Sequence, residues 1–160
     1  IKVFQITILK MEIKKEIVHH TVNQQLSYRI KKLEKALEMQ IESLKTTSES
    51  TAGDKHNTSR AMMHIEEDKL KLQLAKLYEL KLLMNKIIPF KKNNNITIGS
   101  LVETNKGLLY IAIPLGKIKI RNLELMIISL VSPIGRALKG KQENDQFTFK
   151  NQKWIINKIM

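Results

Sequence analysis

Residues 26–44 read LSYRIKKLEKALEMQIESL, and this stretch dictates much of the architecture. Its apolar side chains recur at every third or fourth position: Leu26, Ile30, Leu33, Leu37, Ile41 and Leu44. That period places them on one face of a helix, close to the seam of a coiled coil. The pattern continues outward without glycine or proline, so it predicts one long helix over residues 12–48.

A second apolar stripe follows in residues 58–88. It consists of Met63, Leu70, Leu74, Leu77, Met84 and Ile87. A single helix cannot bury such a stripe, whereas two helices that face each other bury both. We therefore expect a long antiparallel α-helical hairpin, a coiled coil, over residues 11–90. Its tip is the polar connection at about residues 49–57, and an arm that starts near residue 24 reaches roughly 35–40 Å to this tip at about 1.5 Å per residue.

Beyond residue 90 the composition changes, because glycine and proline become frequent. Residues 91–96 read as a polar linker. Apolar runs bounded by turn residues predict strands over 100–104, 107–113, 117–121, 124–131, 145–149 and 152–158. A proline start predicts one short helix over 133–138. The fold class is therefore α+β, with a C-terminal antiparallel β domain over residues 97–160.

The composition excludes several kinds of site. The chain of 160 residues has no cysteine, which rules out disulfides, thiolate metal ligands and cysteine nucleophiles. The formal net charge is +13, and residues 91–160 alone hold 12 basic and 4 acidic side chains. Such a charge favours polyanionic partners, although a lysine-rich proteome explains it equally well. No apolar run approaches the length of a membrane span. We expect residues 1–10 to be an extension outside the core fold.

No catalytic constellation stands out from the sequence. His19 and His20 are adjacent and point to different helix faces, and His56 and His64 are eight residues apart. They read as surface or seam histidines. Asp54, after Gly53, reads either as a helix N-cap or as an exposed carboxylate at the hairpin tip. In the second case it would serve as a Mg²⁺ ligand that completes a site supplied by another molecule.

Two segments resemble the Gre-type transcript cleavage factors. Residues 52–63, AGDKHNTSRAMM, look like the coiled-coil tip of that family, and residues 132–141, SPIGRALKGK, resemble its SPxGxALLGK signature. Both lie in the family's order, and the nearest likeness is to Gre-like proteins of Bacteroidetes-type bacteria. The resemblance implies an FKBP-like β domain that docks on bacterial RNA polymerase, and a coiled coil that enters the secondary channel.

The resemblance also implies a mechanism and a setting. Acidic tip residues help to hold a second Mg²⁺ in the polymerase active site, which cuts backtracked RNA, so the factor is a cytoplasmic regulator and not itself an enzyme. Its partners would be RNA polymerase and the RNA and DNA of the elongation complex, with no membrane, no small-molecule substrate and no cofactor bound alone. A monomer is expected, because the hairpin buries its own stripes.

Carried over by position, Asp54 matches the first tip acid and is the proposed Mg²⁺ ligand. The second acid, three residues later, is replaced by Asn57, which brings no charge. A unit-charge contact at 4 Å is worth roughly 4 kcal/mol at an effective dielectric of 20, so this departure weakens ion recruitment. A channel binder without cleavage activity therefore stays an open alternative.

The docking segment supplies the predicted partner-binding residues: Ser132, Pro133, Ile134, Gly135, Arg136 and Lys139. A purely structural interpretation is also open, in which Pro133 starts a helix, Gly135 permits close packing, and Leu138 faces the core. Two other functions compete with the polymerase hypothesis. One is a coiled-coil and FKBP-like adaptor for another protein, and the other is a basic nucleic-acid binder that contacts phosphates.

Overall fold

The computed structural model describes residues 13–48 and 54–160, with side chains over 13–46 and 58–160. Two long helices come first, α1 (Lys15–Ser48) and α2 (Asp54–Asn85). A six-stranded mixed sheet and one short helix follow, so the fold is α+β as predicted. Helix α2 begins four residues before the predicted start at residue 58, and residues 1–10 and 49–53 lie outside the described part.

The predicted apolar stripes are the covered faces of the two long helices. In α1, Leu26 and Ile30 are buried, and the stripe stays half-buried through Leu44. In α2, Met84 is buried, and Met63, Leu70, Leu74 and Leu77 are half-buried. Most of the intervening positions are exposed, as expected for helices covered on one side only.

Hydrogen bonds join α1 to α2 at three levels. The Lys81 ammonium donates to the Ser27 hydroxyl at 2.9 Å, and the Tyr78 hydroxyl donates to the Glu34 carboxylate at 2.5 Å. Farther along α1, the amide of Gln40 donates to the carbonyl of Met63 at 2.9 Å. As the residue number increases along α1, from Ser27 to Gln40, the residue number of the partner in α2 decreases, from Lys81 to Met63.

The chain divides into two compact units. One is Gln24–Leu82, which holds most of both long helices, and the other contains Leu83–Met160 together with the described residues up to Asn23. No helix within residues 13–48 and 54–160 combines the length and the apolar character needed to cross a membrane.

The sheet is built from β1 (Leu101–Thr104), β2 (Gly107–Ile111), β3 (Gly116–Ile120), β4 (Leu123–Ile128), β5 (Gln146–Phe149) and β6 (Gln152–Ile159). Its strand order is β3-β4-β2-β1-β6-β5. The short helix α3 (Pro133–Leu138) lies between β4 and β5 in the chain. All six predicted strands and the short helix are therefore present.

One strand pairing corrects the expectation of an antiparallel sheet. Strand β2 pairs with β4 in parallel, with Leu108 opposite Leu125 and Ile111 opposite Ile128. The other four neighbouring pairs are antiparallel. The reason is the path of the chain. After β2, the chain forms β3 at the edge of the sheet, beyond the place of β4. It then turns back to form β4 between β3 and β2, so β4 runs in the same direction as β2.

The sheet unit has a continuous apolar core. Its buried members are Ile96, Val102, Leu109, Ile111, Ile128, Leu138 and Ile156. The start of α1 belongs to the same unit: Nδ1 of His19 lies 2.9 Å from the hydroxyl of the buried Tyr110, and the Lys15 ammonium donates to the carbonyl of Lys91 at 2.5 Å. Burial lowers the pKa of Lys15.

Candidate functional site

The predicted tip lies at the edge of the described residues. Asp54 is the first residue of α2 and Asn57 lies one turn later, but the side chains of both fall outside the described part. The next residues, Thr58, Ser59 and Arg60, are exposed on α2. The assignment of Asp54 as a metal ligand in trans therefore stays a prediction.

Helix α2 carries an acidic group of three consecutive residues, Glu66, Glu67 and Asp68, and its members differ. Glu66 and Asp68 are exposed, whereas the side chain of Glu67 keeps only 14% of its accessible surface. Its carboxylate lies 2.6 Å from the Lys71 ammonium, and this hydrogen bond lowers the pKa of Glu67. Among the described side chains, over residues 13–46 and 58–160, no three histidines, aspartates or glutamates come together as a metal site would require.

Ser132 caps the short helix α3. Its hydroxyl accepts a hydrogen bond from the Gly135 backbone N–H at 3.1 Å and donates to the Ser129 carbonyl at 2.7 Å. Pro133 follows in the first turn, where its missing N–H costs nothing. The sequence SPxG is thus accounted for locally by helix initiation.

The middle of α3 packs closely against the segment that follows β4. A Cβ atom on Gly135 would lie 2.0 Å from the Ser129 carbonyl oxygen and 2.8 Å from Cα of Leu130. Leu138 is fully buried in the core, and Ile134 packs against that core from its edge. Gly135 and Leu138 therefore hold the helix in place, as the structural interpretation expected.

The two basic residues of the docking segment face solvent. Arg136 is exposed, and its guanidinium donates to the Val131 carbonyl at 2.8 Å. Lys139 is exposed at the end of α3, where its backbone N–H donates to the Gly135 carbonyl at 3.0 Å. Both side chains lie outside the core and are exposed to solvent.

A cleft of about 490 Å³ opens beside α3 in the sheet unit. Pro133 and Ile134 form part of its wall, so two predicted partner-binding residues meet there. The remaining lining comes from Lys106, Gly107, Leu108, Leu109, Lys117, Glu124, Leu125, Met126, Phe149, Lys150 and Trp154. Sequence reasoning missed this cleft, because its residues come from several strands, two turns and a helix.

The aromatic residues near the cleft are mutually ordered. The rings of Phe147 and Trp154 stack with centroids 5.9 Å apart. The Lys150 ammonium lies 5.8 Å from the Phe149 ring centroid, within the range of a cation–π contact. Nε1 of Trp154 is buried without a hydrogen-bond acceptor, the one such side-chain atom in the part of the chain that the structure describes. A buried donor without an acceptor is costly, so this position is unusual.

The histidines do not form a shared site among the described residues. His19 lies between the Tyr110 hydroxyl and the Asn23 amide nitrogen, the latter 3.0 Å from its Nε2. His20 is exposed, and His64 lies 3.4 Å from the Glu67 carboxylate on the surface of α2. His20 and His64 match the interpretation as surface or seam residues, whereas the half-buried His19 contacts the sheet residue Tyr110. The side chain of His56 lies outside the described part.

Comparison with known protein families, with curated proteins and with solved structures finds no match to this chain. Its function is therefore inferred from its residues and their geometry. Two regions are candidates for function: the tip segment around Asp54 and Asn57, and the face of the sheet unit that carries α3 and the adjoining cleft.

Proposed function

We propose that this protein is a transcription elongation regulator that binds bacterial RNA polymerase and inserts the segment around residues 49–57 into the secondary channel. The observation that carries the proposal is the order of parts. Two long helices precede a sheet unit, and most of the tip-like segment 52–63 forms the start of the second helix. The sheet unit presents the SPxG-type segment on a short helix. This order matches the Gre-type arrangement that the two sequence segments resemble.

An antiparallel coiled coil is the arrangement we propose for α1 and α2. It is supported by the three hydrogen bonds whose partners run in opposite order along the two helices. The covered stripe from Leu26 to Leu44 supports it too, because two facing seams bury such stripes. An FKBP-like relationship for the sheet unit rests on the sequence resemblance alone.

The two positions that match the family's tip acids hold one carboxylate, Asp54, and one amide, Asn57. One protein carboxylate suits Mg²⁺, which retains several waters. In the proposed function Asp54 supplies one oxygen ligand to an ion that the polymerase otherwise holds. That ion, when bound, supplies activation of water for RNA cleavage. Because Asn57 adds no charge, we expect the chain to bind the channel with weak cleavage stimulation.

The test compares wild type, Asp54→Asn and Asn57→Glu on backtracked elongation complexes of the cognate polymerase. We expect all three to bind the polymerase equally in a pull-down. Cleavage stimulation should be weak for wild type, absent for Asp54→Asn and raised about tenfold or more for Asn57→Glu, since a second charge strengthens ion recruitment. Failure of all three to bind the polymerase would contradict the proposed function.

An adaptor for another protein is the second candidate, and one observation favours it. Ile65 and Leu72 are 61% and 73% exposed, and their spacing of seven residues places them on one face of α2. An exposed apolar helix face is a common docking surface for a partner helix. The variant Leu72→Asp separates the candidates: an adaptor would lose its partner, whereas polymerase binding through the tip and sheet unit should be unchanged.

A further inference from the structure

We propose that the cleft beside α3 binds a short extended peptide segment of a protein partner, in which a large apolar side chain is flanked by aspartate or glutamate. This inference does not depend on polymerase binding. It concerns what the sheet unit recognises, and it holds for whichever protein supplies the segment.

The size and floor of the cleft suit one apolar anchor. Its volume of about 490 Å³ lies within the range of pockets that enclose small ligands or peptide side chains. Leu125, Met126, Ile134, Phe149 and Trp154 contribute apolar and aromatic lining. Burial of a leucine or phenylalanine side chain against this lining supplies the non-directional part of the affinity.

The charged residues of the cleft favour an occupant with negative charge. Lys106 comes from the turn between β1 and β2, Lys117 from β3, and Lys150 from the turn between β5 and β6. Among the described residues that line the cleft, Glu124 is the single acidic one. Three lysines that line one cleft from separate elements favour an occupant that carries carboxylates along an extended chain.

The buried indole of Trp154 adds a directional element. Its Nε1–H is buried and lacks an acceptor among the described residues, and Trp154 is one of the residues that line the cleft. A peptide supplies backbone carbonyl oxygens at regular intervals, and one of them would satisfy this donor after a small shift of the surrounding side chains. An apolar small molecule offers no such acceptor.

A nucleic acid is the less suitable occupant. Single strands are held by aromatic platforms that stack successive bases, in a groove that follows the phosphates. Here the aromatic lining consists of Trp154 and Phe149, and most of the other uncharged lining is aliphatic. The sugar–phosphate backbone of a nucleic acid would lie over the aliphatic floor of the cleft. That contact contributes little binding free energy, because polar and charged groups lose water there without gaining partners.

Trp154 also provides the measurement, because it is the only tryptophan of the chain and it lines the cleft. Its fluorescence is titrated with a synthetic heptapeptide that carries one central leucine and flanking glutamates. Matched peptides replace either the glutamates by glutamine or the leucine by serine. We expect saturable binding of the first peptide, and about tenfold weaker binding of each of the other two.

The matched protein variants are Lys150→Glu and Lys153→Glu. Both change the charge equally and lie in the same hairpin, but only Lys150 lines the cleft. We expect Lys150→Glu to weaken binding about tenfold and Lys153→Glu to leave it nearly unchanged. Equal effects of the two variants, equal binding of the glutamine peptide, or no saturable change in fluorescence would overturn the proposal. Tighter binding of an oligonucleotide that also needs Lys150 would overturn it as well.

Discussion

At the scale of single residues, Gly135 is the position with the least freedom. It is buried in α3, and the space that a Cβ would need is taken by the Ser129 carbonyl oxygen at 2.0 Å. Nothing flexible can move aside, because the opposing atoms belong to the backbone of the segment after β4. The glycine of the SPxG-type segment is therefore explained by packing, whether or not a partner also contacts that segment.

The substitution Gly135→Ala should destabilise the sheet unit by about 3 kcal/mol or more, since overpacking against backbone forces a backbone shift. Urea unfolding followed by Trp154 fluorescence measures it. Gly140→Asn is the control: Gly140 has a φ of +75°, a Cβ at that position would meet no atom of the described residues within 4 Å, and asparagine tolerates this backbone conformation. Equal stability of Gly135→Ala and wild type would refute the packing explanation.

At the scale of elements, each of the two long helices has one covered face, and most of its other positions are exposed. Leu26 is fully buried in the stripe of α1, whereas Leu72 on α2 is 73% exposed. The same residue type thus occurs in the covered seam and on an open face. The free energy that each leucine contributes should differ accordingly, because only removal from water and close packing stabilise the fold.

We expect Leu26→Ala to lower the free energy of unfolding by about 2–4 kcal/mol. Leu72→Ala should change it by less than about 0.5 kcal/mol. Denaturant unfolding followed by helical circular dichroism measures both variants under the same conditions. If the two variants lost equal stability, the stripe of α1 would not be the seam that holds the helices.

The turn between β5 and β6 is a second feature at the scale of elements. Lys150 and Asn151 join β5 to β6 with φ values of 50° and 58°, the left-handed pair that tight hairpins use. Asparagine adopts this conformation readily, which favours a tight turn at Asn151 between the two strands. The turn also places Lys150 at the cleft, which its local sequence does not disclose.

At the scale of the whole molecule, the net charge of +13 allows two kinds of partner. A nucleic-acid binder would gain its affinity from released counterions, and a protein partner would meet fewer charges over a packed surface. Both proposed functions are those of a protein that binds another protein, despite the net charge. The salt dependence of binding therefore distinguishes a protein binder from a nucleic-acid binder.

We expect weak binding to naked DNA that falls steeply with salt, by about twentyfold for a threefold rise in salt if three phosphates are contacted. Polymerase binding should fall much less over the same range. Filter binding with DNA and a polymerase pull-down, each at several salt concentrations, give the comparison. Tight DNA binding that persists at high salt, together with no binding to polymerase, would favour the nucleic-acid alternative.

The sequence by itself determined the elements. The 3.6-residue period from Leu26 to Leu44, the alternation of apolar runs with turn residues after residue 96, and the Ser132-Pro133 start are local signals. They act through backbone geometry and the chemistry of a few neighbouring residues. Both long helices, all six strands and the short helix could therefore be predicted within a few residues.

Only the tertiary structure decided how the elements combine. The parallel pairing of β2 with β4 depends on β3 lying outside β4, which no local pattern encodes. The cleft joins Lys106, Lys117 and Lys150 from elements far apart in the chain, and among the described residues it leaves the buried donor of Trp154 unpaired. Such sites arise from long-range packing, where the position of each side chain is set by every other element of the sheet unit.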